Sequence, residues 1–175
     1  QNDFIIASAS FHDSLFFLAS QLYKGLYIWD FKQRKIERIT LHSGTLSLKD
    51  PEINNLFIDQ DGNLGIVCKT VYSVYNFRQK KITHNSIYDP SSNAPAMLLM
   101  DVCQIKGKYY FADYGKGVIE TSDDFKTSVL ISSRNGITSS ALYKIYSVGD
   151  TSFIASSNDG LFIYNTLTRT AKRIS

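Results

Sequence analysis

Apolar and polar residues alternate through this chain in short runs, and the runs return in sets of four. DSLFFLASQLYKGLYIWDFKQRKIERI from Asp13 finds counterparts in DGNLGIVCKTVYSVYNFRQKKI from Asp61, KGKYYFADYGKGVIETSDDFKTSVLI from Lys106 and GDTSFIASSNDGLFIYNTLTRTAKRI from Gly149. Gly25, Val71, Gly117 and Gly160 stand in register, at spacings of 46, 46 and 43 residues. One more apolar stretch precedes each copy: FIIASAS, INNLFID, LLMDVCQI and ALYKIYS. Windows such as LFFLAS and YYFAD lack the three-and-four spacing of a helix, and turn chemistry such as Asp61-Gly62 and Lys106-Gly107 separates the runs. Each unit therefore predicts four short strands, A to D, with the glycine position opening strand C.

Four strands recurring near every 45 residues are the signature of a β-propeller blade. A β-sandwich also spaces its strands by 8 to 12 residues but has no higher period, and is the weaker reading. The expected fold is all-β, a β-propeller with four four-stranded antiparallel blades in one segment, 1–175. The blades fall at about 4–44, 53–88, 96–133 and 137–175. Composition agrees: 11 Tyr and 11 Phe against 3 Pro favour pleated, half-buried surfaces. A net charge of +3, spread along the chain, gives no footing for nucleic acid. No apolar run reaches the roughly 20 residues that cross a bilayer, and residues 1–20 lack the form of a secretory signal. The expectation is a cytosolic protein or a mature or trimmed fragment.

Phe153-Ile154-Ala155-Ser156, followed by Asn158-Asp159-Gly160-Leu161-Phe162-Ile163-Tyr164-Asn165, resembles the two-component regulator propeller repeat. In that repeat a Trp-Ile-Gly-Thr segment leads to Gly-Leu and then Tyr-Asp. NGITSSALYKIYSVGD from Asn135 is similar to the family's opening to the inner strand, and INNLFIDQDGNL from Ile53 to its inner strand and Asp-Gly turn. The likeness covers nearly the whole chain and is weakest in the third copy. Phe17, Leu64, Tyr110 and Phe153 replace the usual Trp, Val71 replaces the glycine, and Thr121-Ser122 replaces Tyr-Asp. The resemblance implies the periplasmic sensor part of a hybrid two-component system, of the kind gut Bacteroidetes use to detect glycan fragments. It also implies further propeller repeats, a β-domain, a membrane helix and a histidine kinase. The chain is thus expected to be an excised piece or a short relative. Its only membrane contact would run through a downstream segment, and its open sides would pack against the remaining blades or other copies of the chain.

Chemistry-bearing motifs add little. Asp59-Gln60-Asp61-Gly62-Asn63 has the alternate oxygens of a calcium loop but no bidentate Glu downstream, and it reads as a hairpin turn. Tyr114-Gly115-Lys116-Gly117 is half a dinucleotide fingerprint with no helix after it. His12, His42 and His84 have no His or Cys at ligand spacing, so neither metal nor cofactor is expected. Cys68 and Cys103 lie in apolar strands and read as buried thiols. Asp123-Asp124, the one adjacent carboxylate pair, falls in a turn. No catalytic activity is expected, although propeller enzymes assemble their sites from loops of several blades.

Strand alternation sorts the connections into two sides. Turns A to B and C to D share one side, where Lys32 to Lys35, Arg78 to Lys81, Arg169 and Lys172 are basic. No aromatic platform interleaves with these charges, so solvated turns explain them. Loops B to C and D to A share the other side. They hold Tyr23, Lys24, Tyr114, Lys116, Asn158 and Asp159 beside the glycine positions, and Tyr88, Asp89, Arg134 and Asn135 in the D to A connections. Aromatic faces suit sugar rings, and Arg, Asn and Asp suit hydroxyls and carboxylates, so these ten are the candidate ligand residues. The expected function is ligand sensing, with an oligosaccharide the first candidate. A protein-interaction propeller without a small ligand is the alternative, and a propeller glycan hydrolase or lyase the third.

Overall fold

A computed structural model of the chain describes residues 5–11, 14–20, 25–39, 47–50, 52–89, 94–96 and 98–174. Among these, the architecture is all-β. Four four-stranded antiparallel sheets, each ordered as in the sequence, hold nearly all of the regular structure. The first contains β1 (Ile5–Phe11), β2 (Leu15–Ser20), β3 (Gly25–Asp30) and β4 (Lys35–Ile39), and the second β5 (Ile53–Ile58), β6 (Leu64–Cys68), β7 (Val71–Asn76) and β8 (Lys81–Ser86). A two-stranded ribbon follows, β9 (Tyr88–Asp89) with β10 (Ala94–Pro95). The third sheet contains β11 (Leu99–Ile105), β12 (Lys108–Asp113), β13 (Gly117–Thr121) and β14 (Ser128–Ile131), and the fourth β15 (Leu142–Val148), β16 (Ser152–Ser157), β17 (Gly160–Asn165) and β18 (Thr170–Arg173). The helical content among the described residues is one 3-10 turn, Ser133–Asn135.

The chain divides into two compact units, Gln1–Asn85 and Ser86–Ser175, with two sheets in each. Within each unit the first strands lie side by side, β1 beside β5 and β11 beside β15, as inner strands of neighbouring blades do. In the first unit Phe17, Ala19, Leu26 and Ile28 close on Leu56, Leu64 and Ile66. In the second, Tyr110, Ala112 and Val118 close on Leu142, Ile145, Phe153 and Tyr164. The four residues that stand where the repeat usually has Trp, Phe17, Leu64, Tyr110 and Phe153, are all buried. Tyr110 and Phe153 meet across the two sheets of their unit with ring centroids 5.3 Å apart.

The repeated aromatic plus Asp or Asn has a structural cause. Asp30 Oδ1 accepts from the Gln33 amide at 2.9 Å, Asn76 Oδ1 from Gln79 at 2.8 Å, and Asn165 Oδ1 from Thr168 at 2.9 Å. Each side chain closes its own C to D turn, while the preceding aromatic of the second and fourth copies, Tyr75 and Tyr164, packs in the core. In the third copy Ser122 takes over, accepting from Thr127 at 3.3 Å. The glycine register is less uniform. Gly117 and Gly160 need positive φ, 116° and 113°, whereas Val71 does not. A two-residue connection, Lys69-Thr70, thus enters β7 without the left-handed backbone that only glycine adopts freely.

Every first strand also slips register by one residue near its start, between Ile5 and Ala7, Ile53 and Asn55, Leu99 and Asp101, and Leu142 and Lys144. Such bulges bend a strand and re-aim a side chain. At the third sheet the bulge turns the buried Asp101 toward the fourth. Its Oδ1 accepts from the Val102 amide at 2.8 Å and its Oδ2 from the Ile145 amide at 3.0 Å, joining β11 to β15.

Candidate functional site

The loop side of the second unit gathers the predicted residues best. The connection from β12 to β13 holds Tyr114, Gly115 and Lys116, all exposed, and the connection from β16 to β17 holds the exposed Asn158 and Asp159. The β12 loop is fixed from below: Tyr114 bridges Ala141, and the Gly115 amide donates to the Ser140 carbonyl at 2.8 Å. Tyr143, the second residue of β15, links the loops. Its ring centroid lies 5.5 Å from that of Tyr114, and its hydroxyl donates to Asn158 Oδ1 at 2.7 Å. Partial withdrawal from water, reinforced by Tyr114 beside it, pushes the Tyr143 phenol above its usual range, against the opposing bond to Asn158. The phenol stays protonated at neutral pH and acts as a donor. Two tyrosine rings inclined at 56°, a positioned amide and the Asp159 carboxylate can together offer an apolar surface and hydroxyl partners.

The other candidates lie elsewhere. Asn135 donates from Nδ2 to the Arg169 carbonyl at 3.1 Å and accepts from the Ser132 amide at 3.4 Å, so its amide ties the 3-10 turn to the C to D turn of the fourth sheet. Arg134 beside it is exposed. Tyr88, 44% exposed, pairs with Pro95 in the ribbon, where Asp89 pairs with Ala94. Tyr23, Lys24, His12 and His42 lie outside the described residues.

Two features escaped the sequence. Tyr143 belongs to a strand rather than a loop, and only the two-residue offset from the Tyr114 to Ala141 bridge brings it to the loop side. Glu120 sits in the apolar strand β13 and is buried. It accepts from Lys108 Nζ at 2.6 Å and lies 3.5 Å from Arg169, on the turn side of the same unit. Burial first and Glu120 second push the Tyr110 phenol up, and burial does the same to Tyr164, whose hydroxyl has no hydrogen-bond partner among the described residues. This group braces the third sheet against the fourth.

The turn Asp59 to Asn63 is closed by its own side chains. Asp59 Oδ1 accepts from the Asn63 amide at 2.7 Å and Oδ2 from Asn63 Nδ2 at 3.1 Å. No three His, Cys, Asp or Glu side chains converge among the described residues. Cys68 and Cys103 are free buried thiols, pushed far up by desolvation first and by Asp50 and Asp101 respectively. Asp124 is exposed and held well below the carboxylate range, first by Ser122 and then by Lys126.

With four ordered sheets and adjacent first strands in each unit, solved structures decide the fold. An extracellular domain assigned to a hybrid two component system of B. thetaiotaomicron superposes with a TM-score of 0.81 over 98% of this chain, at 12% identity. The chain is a run of β-propeller blades. A second extracellular domain of this kind from the same organism matches this propeller segment at TM-score 0.78 over 100% of the chain, also at 12% identity. Virginiamycin B lyase from Staphylococcus aureus matches at 0.72 over 98%, again at 12%. The propeller segment spans 25% of each sensor domain and 55% of the lyase. No family model and no curated protein matches the sequence. No helix among the described residues is long and apolar enough to cross a membrane.

Proposed function

We propose that this chain is the ligand-sensing propeller segment of a bacterial extracytoplasmic two-component sensor, and that Tyr114, Tyr143 and Asn158 receive a glycan fragment. The fold shared with two extracellular sensor domains supports the first part. The observation that carries the second is the exposed Tyr114 against the half-buried Tyr143, whose hydroxyl joins them to Asn158. The segment itself is non-catalytic in this reading; a histidine kinase elsewhere in a longer protein reads the bound state, and the segment works in the periplasm. The exposed apolar faces suit further blades as partners. In the first sheet Phe16, Trp29 and Ile36 form one cross-strand row, with Phe31 packed on Phe16 and Trp29. In the fourth sheet Tyr146, Val148 and Leu161 are exposed.

Calorimetric titration of the 175-residue chain with a panel of neutral and acidic oligosaccharides tests the ligand. At least one is expected to bind, with Tyr143→Ala and Tyr114→Ala each weakening it about tenfold, the scale of a lost stacking contact near 1.4 kcal/mol. A panel without a binder would refute the glycan reading and favour the protein-interaction one, and binding indifferent to both substitutions would refute the loop-side site.

A further inference from the structure

We propose that a cleft on the turn side of the unit Gln1–Asn85 is a second ligand site, made for a small carboxylate carried on a flat hydroxylated ring, as in a uronic acid. It encloses about 450 Å³, between the end of β1 and the turns that flank β6 and β7, within the size range of small-molecule sites. It does not depend on the reading of the loop side, which uses none of its residues.

One wall is aromatic and preset. Phe11 and Phe77 stack with centroids 4.6 Å apart and planes 21° from parallel. Phe77 is held from behind by Phe17 at 5.3 Å and Tyr75 at 5.2 Å. Gly62, at φ 76°, lies beside this wall, with the Phe11 ring 3.4 Å from where a Cβ would be.

The floor is a relay of amides. Asn63 donates from Nδ2 to the buried Asp59, Asn76 donates from Nδ2 to Asn63 Oδ1 at 3.0 Å, and Asn76 accepts from the Gln79 amide. The relay fixes both side chains while leaving each Nδ2 a second hydrogen for a ligand oxygen. Arg78 and Asp61 complete the lining, and neither has a hydrogen bond or ion pair among the described residues.

The ligand class follows from this set. A free guanidinium recognises a carboxylate through two parallel hydrogen bonds. Fixed amides and an unengaged carboxylate suit hydroxyls, and the carboxylate of Asp61 disfavours a ligand of higher negative charge. The phenyl wall suits the apolar face of a sugar ring.

Titration of the 175-residue chain with glucuronate and a digalacturonate tests the site, with glucose, cellobiose and inorganic phosphate as comparison ligands. Glucuronate or digalacturonate is expected to bind more tightly than all three. Arg78→Met should weaken that binding at least tenfold without lowering the melting temperature, since Arg78 is exposed, and Tyr143→Ala should leave it unchanged. Absence of uronate binding, equal binding of the neutral sugars or phosphate, or full binding by Arg78→Met would each overturn the assignment. Loss in Tyr143→Ala alone would place the uronate on the loop side instead, and would overturn it as well.

Discussion

Asp101 joins two blades with one carboxylate, and removing it should be costly. In Asp101→Ala the amides of Val102 and Ile145, both buried, lose their acceptor. Each buried donor left unpaired costs about 1–3 kcal/mol, which puts the loss of two at roughly 2–6 kcal/mol. Lys144, 3.9 Å away and half exposed, adds little, because an ion pair open to water is worth about 1 kcal/mol or less. Asp101→Asn keeps one acceptor oxygen and should lose about half as much. At roughly 2–4 °C per kcal/mol for a chain of this size, thermal unfolding followed by circular dichroism should show Asp101→Ala down by about 4–24 °C. Lys144→Met should stay within about 3 °C of the parent. Amide exchange supplies the local readout: Ile145 should lose protection in the alanine variant more than neighbours on the far side of β16. An Asp101→Ala variant as stable as the parent, or one matched by Lys144→Met, would refute the view that the backbone acceptor, and not the charge pair, joins the blades.

Gly117 and His84 offer further checks. Gly117 has φ 116° and a Cβ there would sit 2.7 Å from the Ile131 carbonyl, so Gly117→Ala should cost about 1–3 kcal/mol or more in urea unfolding. Gly107→Ala, at φ 78° with nothing within 4 Å, should cost less; equal losses would refute the steric account. His84, whose Nδ1 lies 2.8 Å from Ser73 Oγ, has its pKa lowered first by desolvation and then by Lys49, against a raising bond from Ser47. A histidine depressed in the folded state binds its proton more weakly there than when unfolded, so its contribution is whole above the ordinary value near 6.5 and falls away as pH drops below it. The urea midpoint of His84→Gln should therefore decline less between pH 7 and 5 than that of the parent, and parallel declines would count against it.

The fold was legible because it rests on repetition. Period-two runs, turn pairs and a glycine register marked sixteen strands, and β3, β7, β13 and β17 open at Gly25, Val71, Gly117 and Gly160. The reason for the register was less legible. The Asp or Asn after each aromatic turned out to cap the following turn, and Val71 shows that this position can be entered without positive φ, although Gly160 uses it after a connection of the same length. The bulges left no trace, since a one-residue slip depends on pairing between strands rather than on either strand alone. The same limit hid the candidate site. Tyr114 and Asn158 could be read from their loops, but their connection through Tyr143 depends on how the third sheet meets the fourth. Asn135 carried the same loop signature and instead spends its amide on the Arg169 carbonyl.

Position on the strand gives Tyr143 a significance that its loop neighbours lack. Tyr143 and Ile145 lie two residues apart on β15, where the bulge between Leu142 and Lys144 sends Tyr143 to the loops and leaves Ile145 in the core. The hydroxyl of Tyr143 engages the loop after β16, while the amide of Ile145 is held by Asp101 from β11. A ligand seated on the tyrosine pair therefore bears directly on the strand through which the third and fourth blades are joined. The turn side of the same two sheets is tied by Glu120 between Lys108 and Arg169, and Asn135 adds a bond to the Arg169 carbonyl. In the proposed sensor, with one side braced by charge and amide contacts, a ligand at the other would tilt one blade against its neighbour rather than loosen both. A sensor can use that kind of motion, because a bound ligand shifts an equilibrium only through contacts that differ between two arrangements.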